Sequence, residues 1–272
     1  MESSKIKNLI ICILVVVNLF LSGLAATDGI QASRNRAAAN EAVHTILENN
    51  GIMLTLRELP ETDGLQSYAV SRDLEREKTM VSSVLGSVTV KDMGGNIMYY
   101  YGEKGQANFR GSGEFVLLFD SQPVPVEQDP LTTARSVLKK MGIEAEPAAL
   151  PQDQGGDDVV VMTVLYEDTP VINCQIRFTF STNALLMVEG TRPLDIQRED
   201  PTVTVLDAST LMTRFVGIVN RSGYVCSEIR DIRPVLQYSD ASGGKLLPVW
   251  EIETDARTYY LNVSTGEEQS GV

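Results

Sequence analysis

The chain has 272 residues, 43% of them hydrophobic and 22% charged, with a formal charge of −13. This length holds one large domain or two ordinary ones, and the acidity disfavours nucleic acid and anionic lipid headgroups as ligands of the soluble part. Cys12, Cys174 and Cys226 form no CxxC pair and no zinc spacing, so no metal or other cofactor is expected.

In chain order, Lys5 and Lys7 precede an apolar run that stays uncharged until Asp28. Asn8 to Thr27 is 20 residues, roughly 30 Å of helix, which matches a bilayer core. The two lysines place residues 1–7 in the cytoplasm and the rest outside. Gly23-Leu24-Ala25 resembles a cleavage site, so a removed signal peptide is the rival reading. The run exceeds the 7–15 residues of a signal h-region, which favours a retained anchor over 8–27. Without Glu2, Lys5 and Lys7 the exported part carries −14.

Residues 33–51 predict a helix with Ala39, Val43, Ile46 and Leu47 on one face and Gly51 as a stop. MLTLREL reads as a first strand. A second helix is expected over SRDLEREKTMVSSVLG, with Ser71 as cap and Leu74, Val81, Val84 and Leu85 as its stripe. SVTVKDMGGNIMYYYGEKGQANFRGSGEFVLLF alternates apolar and polar residues between glycines, as in an antiparallel meander. SQPVPVEQ reads as a linker, which closes an N-terminal unit at 28–125.

The C-terminal part, 126–272, divides into 126–200 and 201–272. DPLTTARSVLKKMG has Asp129 as cap, Pro130 at the first helical position and Gly142 beyond. Three strands follow, with tight connections at Glu167-Asp168-Thr169-Pro170 and Ser181-Thr182-Asn183. A helix capped by Asp207 and stopped near Gly223 opens the last unit, before the strands EIRDIRPVLQYS, LLPVWEIET and RTYYLNVS. Asp129 and Asp207 are 78 residues apart, so a helix followed by antiparallel strands recurs. The fold class is therefore α+β: an ectodomain of repeated helix-plus-antiparallel-sheet units behind one transmembrane helix.

Chemistry is hard to place on this chain. His44 is the only histidine, one step off an apolar stripe, and no nucleophile-elbow pattern exists. Asp153, Asp157 and Asp158, and Glu199-Asp200, sit in Gly- or Pro-marked loops where acidic residues are mostly solvated. The expected protein is not an enzyme. Tyr99, Tyr100 and Tyr101 put rings on both faces of one strand, one face core and the other adhesive, so Tyr99 and Tyr101 are candidate partner-binding residues. Cys174 and Cys226 are either a disulfide or two buried thiols. In KLLPVWEIETDARTYYLNVSTGEE, Trp250 reads as a core anchor and 254–258 as a turn; Tyr259, Leu261 and Val263 share one face.

Three stretches resemble a family. ESSKIKNLIICILVVVNLFL is similar to the basic start and single span of YycI-type proteins, of the YycH/YycI superfamily. These are regulatory partners of a cell-wall sensor histidine kinase in Gram-positive bacteria. LYEDTPVINCQIRFTFSTNALLMVEG resembles their strand–turn–strand element at Tyr166, Pro170, Val171, Ile172 and Asn173. The closing Leu-x-Pro-x-Trp, Tyr-Tyr-x-Asn and Thr-Gly elements resemble the last hairpin of those proteins and of PepSY-like domains. The resemblance implies a membrane regulator that binds a sensor histidine kinase, joined by a sister YycH-type protein. Asn18, Ser22 and Gly23 would then be the helix-packing features of the span. A PepSY-like module restraining a secreted peptidase or a germination or cell-wall hydrolase is the alternative.

Overall fold

The computed structural model describes residues 37–270 except 58, 61, 63, 149–158, 182, 201–202 and 241–243. The expected anchor over 8–27, with Asn18, Ser22 and Gly23, lies outside these residues. So do Asp153, Asp157 and Asp158. No described helix is long and apolar enough to cross a membrane.

Helix α1 covers residues 37–49. Then come β1 (Met53–Leu54), β2 (Ser67–Ser71), α2 (Leu74–Leu85), β3 (Thr89–Asp92), β4 (Ile97–Tyr101), β5 (Gln106–Arg110), β6 (Glu114–Leu118) and β7 (Val124–Pro125). The middle holds α3 (Pro130–Met141), β8 (Ala145–Pro147), β9 (Val159–Tyr166), β10 (Thr169–Ser181), β11 (Ala184–Thr191) and β12 (Asp195–Asp200). The last elements are α4 (Ala208–Ser222), β13 (Glu228–Ser239), β14 (Lys245–Thr254), β15 (Thr258–Asn262) and β16 (Glu268–Gln269). The described residues thus form a mixed α+β fold with four helices and one large sheet.

The sheet's main path runs β12-β2-β14-β13-β10-β11-β6-β5-β4-β3. Nearly all neighbours are antiparallel; β10 meets β13 in parallel at Val171 and Leu236 alone. That single junction divides the path into two halves, each with helices on one face. Helices α2 and α3 pack on the half from β10 to β3, burying Val81, Leu85 and Val137 against Phe109, Leu117, Ile176 and Phe178. Helices α1 and α4 pack on β13–β15, where Val43, Leu47, Leu211 and Phe215 meet Ile232, Trp250, Ile252 and Leu261. Burial along β10 alternates from Cys174 to Phe180, the period-two signature of a strand with one covered face.

The meander and linker are not a separate unit. β6 pairs with β11 from Glu114↔Thr191 to Leu118↔Met187, and β7 within the expected linker pairs with β11 as well. One sheet and one core therefore run across residue 125. Pro125 sits at this two-residue edge strand, a place where a missing N–H does no harm.

Both recurring helices have the expected ends. Asp129 accepts from Thr132 N and Asp207 from Thr210 N, while Gly142 and Gly223 close the helices in the left-handed region. The cap of α2 differs from the sequence reading. Ser71 ends β2, and Asp73 accepts from the backbone N–H groups of Glu75 and Arg76 instead. A carboxylate two residues on captures two orphan donors at the positive end of the helix, and Leu74 turns out to solvent. MLTLREL yields only the two residues of β1, paired with β13, and β2 and β12 were not anticipated. Cys174 and Cys226 are free, buried thiols in different cores.

Candidate functional site

The half-sheet from β3 to β9 carries helices on one face only, so alternate residues on its other face look outward. The register lines them up in rows. Lys91 lies opposite Tyr99 and Tyr99 opposite Asn108. Asn108 opposes Val116 and Val116 opposes Glu189. Glu189 then opposes Arg177, and Arg177 opposes Val161. A second row runs from Thr89 through Tyr101, Gln106, Leu118 and Met187 to Thr179.

The face is mixed in chemistry and concave. A depression of about 570 Å³ is bounded by Tyr99, Asn108, Arg110, Glu114, Gln175 and Arg177, with Glu189 and Thr191 on its floor strand. Gly190 lets β11 pass close to β10 here, since a Cβ would lie 2.1 Å from the Gln175 carbonyl oxygen. The Tyr99 and Tyr101 rings stack on this face with centroids 6.3 Å apart, and Tyr101 is 45% exposed. Arg110 and Glu114 pair across the hairpin at 3.4 Å, an exposed contact that contributes little to stability. The arrangement offers aromatic surface and paired charges for contact with another macromolecule.

Tyr100 points the other way. It is fully buried, and its hydroxyl donates to Glu77 Oε1 at 2.6 Å. Glu77, itself 1% exposed, also accepts from Arg72 Nε at 2.9 Å and Nη2 at 2.7 Å. Arg192 lies 3.7 Å from Glu77 and 4.0 Å from Asp195, and Arg76 pairs with Asp195 at 3.2 Å. Burial pushes the Tyr100 hydroxyl well up, reinforced by its bond to Glu77, and burial pulls the Arg192 guanidinium down. This ionic cluster was missed in the sequence. Its signal was Glu77 itself, spaced with Met80, Val81 and Val84 on the buried stripe of α2.

The remaining candidates resolve into structure. His44 is half-buried on α1. Asp200 accepts from Lys245 Nζ at 2.7 Å, tying β12 to β14. Among the described residues no three His, Cys, Asp or Glu side chains form a group that could hold a metal. Trp250 is fully buried beneath α4, and its Nε1 has no partner among the described residues.

No family model matches the sequence, and no curated protein matches it. Solved structures align with it, two of them as follows. An uncharacterized protein from Eubacterium rectale is 10% identical over 76% of this chain and 84% of its own, with a TM-score of 0.44. The Bacillus megaterium YpeB C-terminal domain is 10% identical over 74% of this chain and 97% of its own, with a TM-score of 0.37.

Proposed function

We propose that this chain is a membrane-anchored extracytoplasmic regulator that works by binding, with a sensor histidine kinase of cell-wall homeostasis as its partner. The observation that carries the binding reading is the open sheet face, where Tyr99 and Tyr101 stack beside a row of mixed apolar, polar and charged residues. Aromatic residues with arginine neighbours are the composition of interface anchors. The kinase and a sister YycH-type protein enter through the resemblance of the N-terminal span and the closing hairpin to YycI-type proteins.

In this reading the ectodomain face docks on the kinase's extracytoplasmic part while the span, through Asn18, Ser22 and Gly23, packs on the kinase's own helices. A complex that favours one of two signalling conformations shifts their populations by its difference in affinity for them. Replacing Asn18 and Gly23 by Leu is expected to weaken association in membranes, as is removing the two tyrosines. Affinity purification of the full chain from its native membranes, with identification of what co-elutes, tests the assignment. Recovery of the kinase supports it; recovery of a secreted peptidase or wall hydrolase in its place would move the chain to the PepSY-like restraining class.

A further inference from the structure

A second concavity lies away from the open face, where α2, the end of α3 and the β9–β10 turn surround the β11–β12 connection. It measures about 530 Å³, within the usual size of small-ligand sites. Its floor is apolar, with Met80 and Leu194 buried and Ile143 beside them. Arg76 of α2 and Arg192 of the β11–β12 connection line it together with Asp195, and Glu144 and Glu167 line it from the end of α3 and the β9–β10 turn.

The charge on the arginine side is unbalanced. Arg72, Arg76 and Arg192 set three guanidiniums against the two carboxylates of Glu77 and Asp195. Glu77 is already committed to Arg72 and Tyr100. Arg192 is 4% exposed, its two ion-pair distances exceed hydrogen-bonding range, and its Nε has no partner among the described residues. Its guanidinium donates, through Nη1 at 3.1 Å, to the neighbouring Pro193 carbonyl. A buried guanidinium held this loosely carries a positive charge that an added carboxylate would complement. Across the groove, Glu144 and Glu167 make no ion pair with another described residue, and the Glu167 carboxylate accepts from the Tyr166 hydroxyl. Turn geometry holds Glu167 there: Glu167 and Asp168 both have positive φ in the β9–β10 turn, a conformation that normally selects Asn or Gly.

We propose that this groove binds a short peptide with free termini, its C-terminal carboxylate on Arg76 and Arg192 and its amino group toward Glu144 and Glu167. Positive charge on Arg76 and Arg192, negative charge on Glu144 and Glu167 and an apolar floor complement a zwitterion with a small side chain. The site is independent of the open sheet face, so either proposal can fail alone.

Isothermal titration of the full chain in detergent with alanyl-alanine tests it, beside the same dipeptide amidated at its C-terminus or acetylated at its N-terminus. Saturable binding at millimolar peptide or below is expected, weakened about tenfold or more by amidation, the loss of one charge-assisted hydrogen bond. R76A, at an exposed position, should weaken binding to a similar degree while circular dichroism shows the native fold retained. A double Y99A/Y101A variant should bind the dipeptide as wild type does. No saturable heat, equal binding of acid and amide, or full binding by R76A would overturn the proposal.

Discussion

The side chain of Asn173 pairs with the backbone of Tyr238 as a strand would: Nδ2 donates to the Tyr238 carbonyl at 2.6 Å, and Oδ1 accepts from the Tyr238 N–H at 2.8 Å. It sits two residues beyond the lone backbone register point at Val171 and Leu236, so one amide extends the seam between the half-sheets. Asn173→Leu would strand a donor and an acceptor on a partly buried strand, at about 1–3 kcal/mol for each group left unsatisfied. Urea unfolding should show this loss, and Asn173→Asp should not restore it, because a carboxylate cannot donate to the Tyr238 carbonyl.

The buried carboxylate under β4 gives a second expectation. Tyr100→Phe removes a hydrogen bond to a charged acceptor without changing shape, a loss of about 1.5–3 kcal/mol. Glu77→Gln leaves Arg72 and Arg192 without their shared carboxylate in the interior, and is expected to cost more, about 3–5 kcal/mol. Chemical denaturation that found Glu77→Gln milder than Tyr100→Phe would contradict the cluster's role.

Helix α4 carries a pH-dependent cap. Bonds from Ser209 and Thr210 hold the Asp207 carboxyl down at about 2. A depressed folded pKa contributes stability above the unfolded carboxylate range, near 3.9, that is lost as pH falls toward the folded value. Asp207→Ala should therefore destabilise by about 1 kcal/mol at neutral pH. The gap to wild type should close between about pH 4 and pH 2. Asp207→Asn keeps a capping oxygen and should flatten that acid dependence.

Trp250 is the sole tryptophan and is fully buried. Its emission should be blue-shifted and resist acrylamide in the native state, and both features should vanish on unfolding. Burial raises the Cys174 thiol far from its ordinary range and raises Cys226 as well. Native protein is therefore expected to react with a thiol reagent at neither position until denatured; rapid native labelling at Cys174 would contradict its place in the core.

Helix ends and strand alternation were legible because they are local. Asp129 with Pro130, and Gly142 and Gly223, declare their roles within a few residues, and Trp250, Tyr259, Leu261 and Val263 fell into the core as their alternation required. The half-buried pattern around Tyr100 likewise separated a core ring from outward rings at Tyr99 and Tyr101. What the sequence hid is non-local. The β6–β11 pairing joins segments about seventy residues apart, so SQPVPVEQ looked like a boundary although its edge strand belongs to the sheet. β2 and β12 form through mutual pairing, and SYAVS and DIQRED carry little strand signal alone. The Arg72–Glu77–Arg192–Asp195 cluster draws on two distant segments, and only a glutamate on an apolar stripe hinted at it.

The central claim is that this chain acts by docking its open sheet face on a membrane kinase. Its most direct test is affinity purification of the full chain from native membranes, wild type beside Y99A/Y101A. The account predicts that wild type brings down the sensor kinase and that the folded double variant loses it by about thirtyfold or more, the loss of a hot spot of about 2 kcal/mol. Absence of the kinase with wild type, or its undiminished recovery with the folded variant, would contradict the account.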